Sequence, residues 1–146
     1  MTADVLVEGQ PIHIIIEGEP IGKPRMTQRD KWQRRPIVLA YRDWADKARL
    51  TLYRKVRTHH LPAGLYSVSW SAYIGMADSW SEKKKAKLKG QLHFGKPDRD
   101  NIDKALLDSL FTDDRGVCTG TLNKFWDDGK GPRLEVTILK LMGEMP

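Results

Sequence analysis

From Val38 to about Arg57 the apolar residues recur at helical spacing. Val38, Tyr41, Trp44, Ala45, Ala48, Leu52 and Val56 share one face, while Arg42, Asp43, Asp46 and Lys47 point away. That period predicts an amphipathic helix with its stripe against a core, ended by "THHLPAG". A second stripe, Ile102, Ala105, Leu106, Ser109 and Leu110, keeps the i, i+3, i+4, i+7, i+8 rule. It predicts a further helix entered after Pro97, with Asp98 and Asp100 both suited to cap it. Strand patterns lie between and around these helices. "IHIII" (Ile12 to Ile16) is short, β-branched and nearly continuous, and "LYSVSWSAYIG" (Leu65 to Gly75) is rich in strand formers. "VCTGTLNKFW" (Val117 to Trp126) reads as one strand, and "DDGKGP" as a turn. "RLEVTILKL" then alternates, with Leu134, Val136 and Ile138 on one face and Glu135 and Thr137 on the other.

"SEKKKAKLKG" predicts a short basic helix with Ser81 as N-cap and Gly90 just past its end. The order is therefore β-α-β-(α)-α-β-β, with no repeat, low-complexity tract or linker. It predicts an α/β (α+β) fold: one domain over residues 1–146, a mixed sheet packed against two main helices.

Length and composition narrow the class without naming a chemistry. The chain has 146 residues, 40% of them apolar and 30% charged, which suits a globular domain with a real core. No apolar run approaches the ~20 residues that span a bilayer. "MTADVLVEGQ" carries neither a basic n-region nor a long apolar h-region, so no secretory signal is expected. The single cysteine, Cys118, cannot form an internal disulfide and fits a reducing cytoplasm. A net charge of +6 favours polyanionic partners, nucleic acid before acidic membrane surfaces.

Against that basic background, "KPDRDNIDKALLDSLFTDD" (96–114) holds six aspartates in nineteen positions. On a helical wheel Asp100, Lys104 and Asp108 form a ridge opposite the apolar stripe, Asp98 lies at the helix entry, and Asp113 and Asp114 follow its end. One explanation is structural: an ion-pair ladder worth ~0.2–0.5 kcal/mol per pair, a cap and a polar turn. The other is a divalent-metal site, because hard cations take carboxylate, water and phosphate oxygens and would supply the positive charge between the aspartates. Lys104 would then face phosphate. Spacing alone does not choose between them. Zinc is disfavoured, since His13, His59, His60, His93 and Cys118 show no ligand spacing. "GEPIGKPR" lacks the length and the ending of a P-loop, and no serine or cysteine nucleophile signature is present.

The same string resembles the central motif of the RusA-like Holliday-junction resolvase (crossover junction endodeoxyribonuclease) family, roughly K-P-D-x-D-N-x-x-K-x-x-x-D-x-L followed by D-D. Lys96, Pro97, Asp98, Asp100, Asn101, Lys104, Asp108, Leu110, Asp113 and Asp114 match it. "GKPRMT" is similar to the family's basic K-P-R segment, and Val117 and Lys124 fit positions that follow the paired aspartates. The resemblance implies a small homodimeric endonuclease dependent on Mg²⁺, with Mn²⁺ as a substitute. Its substrate would be branched DNA, four-way junctions resolved by paired symmetric nicks in recombination and repair, and such proteins are often encoded by phages or prophages. By resemblance the catalytic carboxylates fall on Asp98, Asp100 and Asp114, with Asp113 one register step away as a further metal candidate. The functional lysine falls on Lys104 and the motif asparagine on Asn101.

The expected DNA-facing set is Lys23, Arg25, Arg29, Arg34, Arg35, Lys96, Arg99, Asn101 and Lys124. Lys31, in the same loop, carries a further charge. Lys83, Lys84, Lys85, Lys87 and Lys89 serve equally as a solvated face or as DNA contacts. "SEKKKAKLKG" looks longer than the corresponding part of the family's compact founding member, which bears on substrate preference. Trp32 is suited to stacking on an unpaired base or to covering a core edge, and Trp44 belongs to the core. Two rival functions remain: an endonuclease acting mainly on forks, D-loops or flaps, and a non-catalytic basic DNA-binding module.

Overall fold

The computed structural model describes residues 6–27, 29 and 35–142. Lys31, Trp32 and Arg34 lie outside the described residues. The helix foreseen from Val38 runs one turn-fraction earlier, as α1 (Pro36–Val56), because Pro36 at its first turn supplies a preset φ and lacks only an N–H that no helix would use. All seven residues of the predicted stripe are buried, and Arg54 and Lys55 in the last turn oppose the negative end of the helix dipole.

The strands are β1 (Ile12–Glu17), β2 (Leu65–Ile74), β3 (Val117–Thr119), β4 (Leu122–Trp126) and β5 (Arg133–Met142), with helices α2 (Glu82–Leu88) and α3 (Arg99–Leu110) between β2 and β3. They form one mixed five-stranded sheet in the order β1-β5-β2-β3, with β4 also on β2. β5 is antiparallel to both β1 and β2, whereas β3 and β4 run parallel to β2. A parallel pairing needs a long crossover, and this one, residues 75–116, contains α2, α3 and the whole aspartate cluster.

The stretch Val117–Trp126 is two strands rather than the one expected. At Gly120 the chain turns with φ 154°, and a Cβ there would stand 1.9 Å from the Val68 carbonyl oxygen. Only glycine lets the backbone pass so close, and pairing resumes at Leu122 opposite Trp70.

Alternate residues of β2 (Tyr66, Val68, Trp70, Ala72, Ile74) and of β5 (Leu134, Val136, Ile138) are buried, together with Ile14 and Ile16. They form one cluster with Tyr41, Trp44, Ala45, Ala48, Leu52 and Val56 of α1 and Ile102, Ala105, Leu106 and Leu110 of α3, so the core lies between a single sheet face and two helices. Leu52, Leu106 and Leu134 are fully buried, each contributing roughly 1.5–3 kcal/mol by removal from water. Trp70 is buried with its indole N–H donating to Asp103 at 2.9 Å, which fixes α3 against the central strand.

α2 is capped as predicted: the Ser81 hydroxyl accepts from the Lys84 backbone N–H at 3.2 Å. No described helix is long and apolar enough to cross a membrane.

Candidate active site

α3 begins at Arg99, which puts Asp98 at its N-cap and Asp100 in its first turn. The cap expectation fails in an informative way. The Asp98 side chain makes no capping hydrogen bond, and both Asp98 and Asp100 are exposed. Two carboxylates thus stand at the N-terminal end of α3.

Two anchors hold the chain leading into Asp98. The Lys124 ammonium donates to the carbonyls of Gly95 (2.7 Å) and Pro97 (3.0 Å). These hydrogen bonds of Lys124, a residue of the expected DNA-facing set, tie β4 to the segment that presents Asp98. The second anchor is the loop after β1. Its Gly18 N–H donates to Pro132, the Gly75 N–H donates to the Glu19 carboxylate (3.0 Å), and its Lys23 N–H donates to the Asn101 carbonyl (3.1 Å). Burial raises the Glu19 pKa, with the nearby Asp127 charge adding to it and the Gly75 bond working the other way.

So docked, the loop and α3 line two adjoining grooves. One, of about 430 Å³, has Lys96, Asp98, Asn101 and Lys23 in its wall together with Pro20, Ile21 and Ile37. The other, of about 440 Å³, is lined by Lys23, Pro24, Arg25, Met26, Asn101 and Lys104. Lys23 and Asn101 belong to both. The structure therefore brings together Lys23, Arg25, Lys96, Asp98, Asn101 and Lys104, from sequence positions more than seventy residues apart. Arg29 and Arg99 are exposed nearby in sequence. Arg35 donates to the Arg25 carbonyl at 2.9 Å, so it braces the loop.

The predicted ladder Asp100–Lys104–Asp108 does not form. Asp108 pairs with Lys23, and among the described residues Lys104 makes no ion pair. The Asp108 bond, more than any other effect, raises the Lys23 pKa, and the charge of Asp114 reaches it too. Lys23 is thus the cation paired with Asp108, within electrostatic reach of Asp114.

Asp113 has another partner: Arg115 donates to it with Nε (3.0 Å to Oδ1) and Nη2 (2.7 Å to Oδ2). That fork lowers the Asp113 pKa and occupies both its oxygens. Among the described residues no group of three or more His, Cys, Asp or Glu stands close enough to hold a metal ion. Asp98 and Asp100, exposed and without an ion pair among the described residues, have the oxygen chemistry Mg²⁺ takes, and one or two carboxylates with waters and phosphate oxygens form its ordinary shell.

Periodicity reasoning passed over three residues here: Asp103, Glu19 and the structural role of Lys124. A polar residue between buried positions, as Asp103 is between Ile102 and Ala105, was the available signal.

A mixed α+β domain that sets Asp98 and the cations Lys23, Arg25, Lys96 and Lys104 along two adjoining grooves has the makings of a phosphodiester-acting protein. The family model of endodeoxyribonuclease RusA matches residues 17–139, and the chain belongs to that family. No curated protein matches it.

Proposed function

We propose that the protein is a Mg²⁺-dependent, structure-selective DNA endonuclease that resolves four-way junctions in recombination and repair. The observation that carries this is the pair of adjoining grooves joined at Lys23 and Asn101, one lined by Asp98 and Lys96 and the other by Arg25 and Lys104. Family membership supports DNA cleavage; the groove supports the assignment of roles.

In this reading Asp98 and Asp100 hold Mg²⁺, or Mn²⁺ in its place, with Asp114 as the third candidate ligand. Asp113 is left out because Arg115 grips both its oxygens. When bound, the metal polarises the scissile phosphate and lowers the pKa of a water. The chain's own residues do the rest. Arg25, Arg29, Lys96 and Arg99 bind the backbone, and Lys104 stabilises charge developing on the phosphate. Lys124 keeps Asp98 in place through the Gly95 and Pro97 carbonyls.

One such site per chain makes one nick, so resolution calls for a C2 homodimer matching the two-fold symmetry of a junction. In dimers mixing wild-type and Asp100→Asn chains, one strand is nicked while the opposed strand stays intact.

Labelled junction, fork, flap and linear duplex incubated with and without Mg²⁺ test the proposal. Cutting of the junction in both opposed strands, only with metal, is expected. Preferential cutting of forks or flaps moves the activity to those substrates, and binding without cutting under any metal leaves a DNA-binding module.

A further inference from the structure

Phe94 is 96% exposed and Leu92 beside it is 74% exposed. Single exposed apolar residues are ordinary; what sets Phe94 apart is where it stands and how firmly. The His93 N–H donates to the Lys124 carbonyl at 3.0 Å, and the Gly95 carbonyl accepts from the Lys124 ammonium at 2.7 Å. Leu92 pairs with Phe125 in an antiparallel bridge. Below, the His93 ring meets Trp126 edge-on at 4.3 Å, Trp126 meets Trp80 at 5.1 Å, and Lys84 lies 3.7 Å over Trp80. Both neighbours of Phe94 are thus pinned while its ring is held out in water. The support is the same lysine that steadies the approach to Asp98, four residues on.

The surroundings say what covers that ring. Lys96 and Arg99, two and five residues further on, are exposed beside Asp98 and Asp100, which suits a phosphate held by cations and carboxylate-bound metal, and a flat aromatic ring calls for a π-face. A nucleobase offers both, through its phosphate and its own face. In a linear duplex every base face is already stacked. At a branch point the terminal pairs expose theirs.

We propose that Phe94 is a specificity-determining wedge that stacks on a base exposed at the branch point, beside the phosphate that Asp98 and Asp100 address. The role rests on the nuclease reading above and deepens it: the carboxylates cut, and Phe94 tells branched DNA from linear. Ordering costs are small because the loop is already fixed, so the stacking contributes close to its full effect, roughly five- to 150-fold in affinity.

The test uses the full chain in an Asp100→Asn background, which reads binding without cutting. Affinities are measured for a four-way junction and for linear duplex of the same sequence, with Phe94→Ala and Phe94→Trp, and with Leu50→Ala, an exposed apolar residue of α1, as control. Phe94→Ala is expected to lower junction affinity by roughly five- to 150-fold while duplex affinity changes less than about twofold, and Phe94→Trp to restore the preference. Junction preference surviving in Phe94→Ala overturns the wedge alone, as does equal loss on both DNAs. A loss that tracks conversion from dimer to monomer in light scattering also overturns it, since the ring would then cover a second copy of the chain. A parent protein that binds no branched DNA overturns the nuclease reading, and the wedge with it.

Discussion

Lys23 grips α3 at two points: its backbone N–H bonds the Asn101 carbonyl, and its ammonium pairs with Asp108, two helical turns further along. The basic loop is therefore laid lengthwise on the helix that carries Asp98 and Asp100, and one of its cations is already spoken for.

Releasing that cation has a predictable sign. Asp108→Asn removes a partly exposed pair, at a cost of ~0.2–1 kcal/mol, and leaves Lys23 available to phosphate. DNA affinity should rise, and the log K against log salt slope should steepen by up to ~0.9. Because the folded Lys23 pKa is raised above 10.5, the pair's stabilisation is full below that pH and lost as pH climbs through the folded value. Melting curves of the two proteins should therefore converge in strong alkali.

Arg25, exposed in the groove wall, is expected to behave differently. Arg25→Ala should flatten the salt slope by ~0.9, and Lys23→Ala should flatten it by less. Equal slopes for the two variants would show that the Lys23–Asp108 pair opens on DNA.

Carboxylate to amide at the start of α3 preserves shape and removes charge. Asp98→Asn and Asp100→Asn should abolish junction cleavage with binding retained or improved, since each removes an anion from a phosphate-facing surface. Gel shift and cleavage assays on one DNA read both. Wild-type turnover in the two variants would reject them as ligands.

Lys104 and Lys124 separate by kinetics. Lys104→Ala should lower kcat more than it raises KM, as the transition-state role proposed for the lysine requires. Lys124→Met should also lower turnover but leave the salt slope unchanged, since its ammonium bonds carbonyls, not phosphate. It should, in addition, speed hydrogen exchange around residues 93–97.

Far from the groove, Arg133 is buried, forked onto Asp128 at 3.0 and 3.1 Å, and 3.9 Å from the Tyr73 ring centre. The Arg133 bond holds the Asp128 pKa down at about 2, from 3.8. Its stabilisation is complete above pH 3.8 and lost as pH falls through about 2. Asp128→Asn should lower Tm at pH 6 and converge with wild type near pH 2.

What the sequence disclosed and what it withheld divide by range. The stripes of α1 and α3, the alternation in β5 and the Ser81 cap depend on residues within a turn or two of one another, and all are present. The split of Val117–Trp126 depends on how near Gly120 passes to Val68, a contact between residues 52 apart in sequence, so the run looked continuous. The Asp100–Lys104–Asp108 ladder was a fair inference from spacing, but Lys23, brought in by a loop from β1, outcompetes Lys104 for Asp108. Lys124 was legible as a basic residue in the right place; that its bonds go to two carbonyls needed the fold. The motif named Asp113 and Asp114 together, and the structure separates them: Arg115 forks onto Asp113.

The lysine-rich excursion through α2 leaves the sheet at Ile74 and returns at Gln91, and both ends meet the tip of β4. Asp127 N–H donates to the Ile74 carbonyl at 2.8 Å, and Trp126 N–H donates to the Gln91 carbonyl at 2.8 Å. A segment whose two ends share one doorstep is an exchangeable cassette: it can be shortened, lengthened or transplanted with little change in loop-closure entropy and none in strand register. Swapping residues 76–90 for a short turn would keep α3 and remove five lysines in one stroke. The charge that this segment presents to a polyanion is then adjustable as a module, independently of α3.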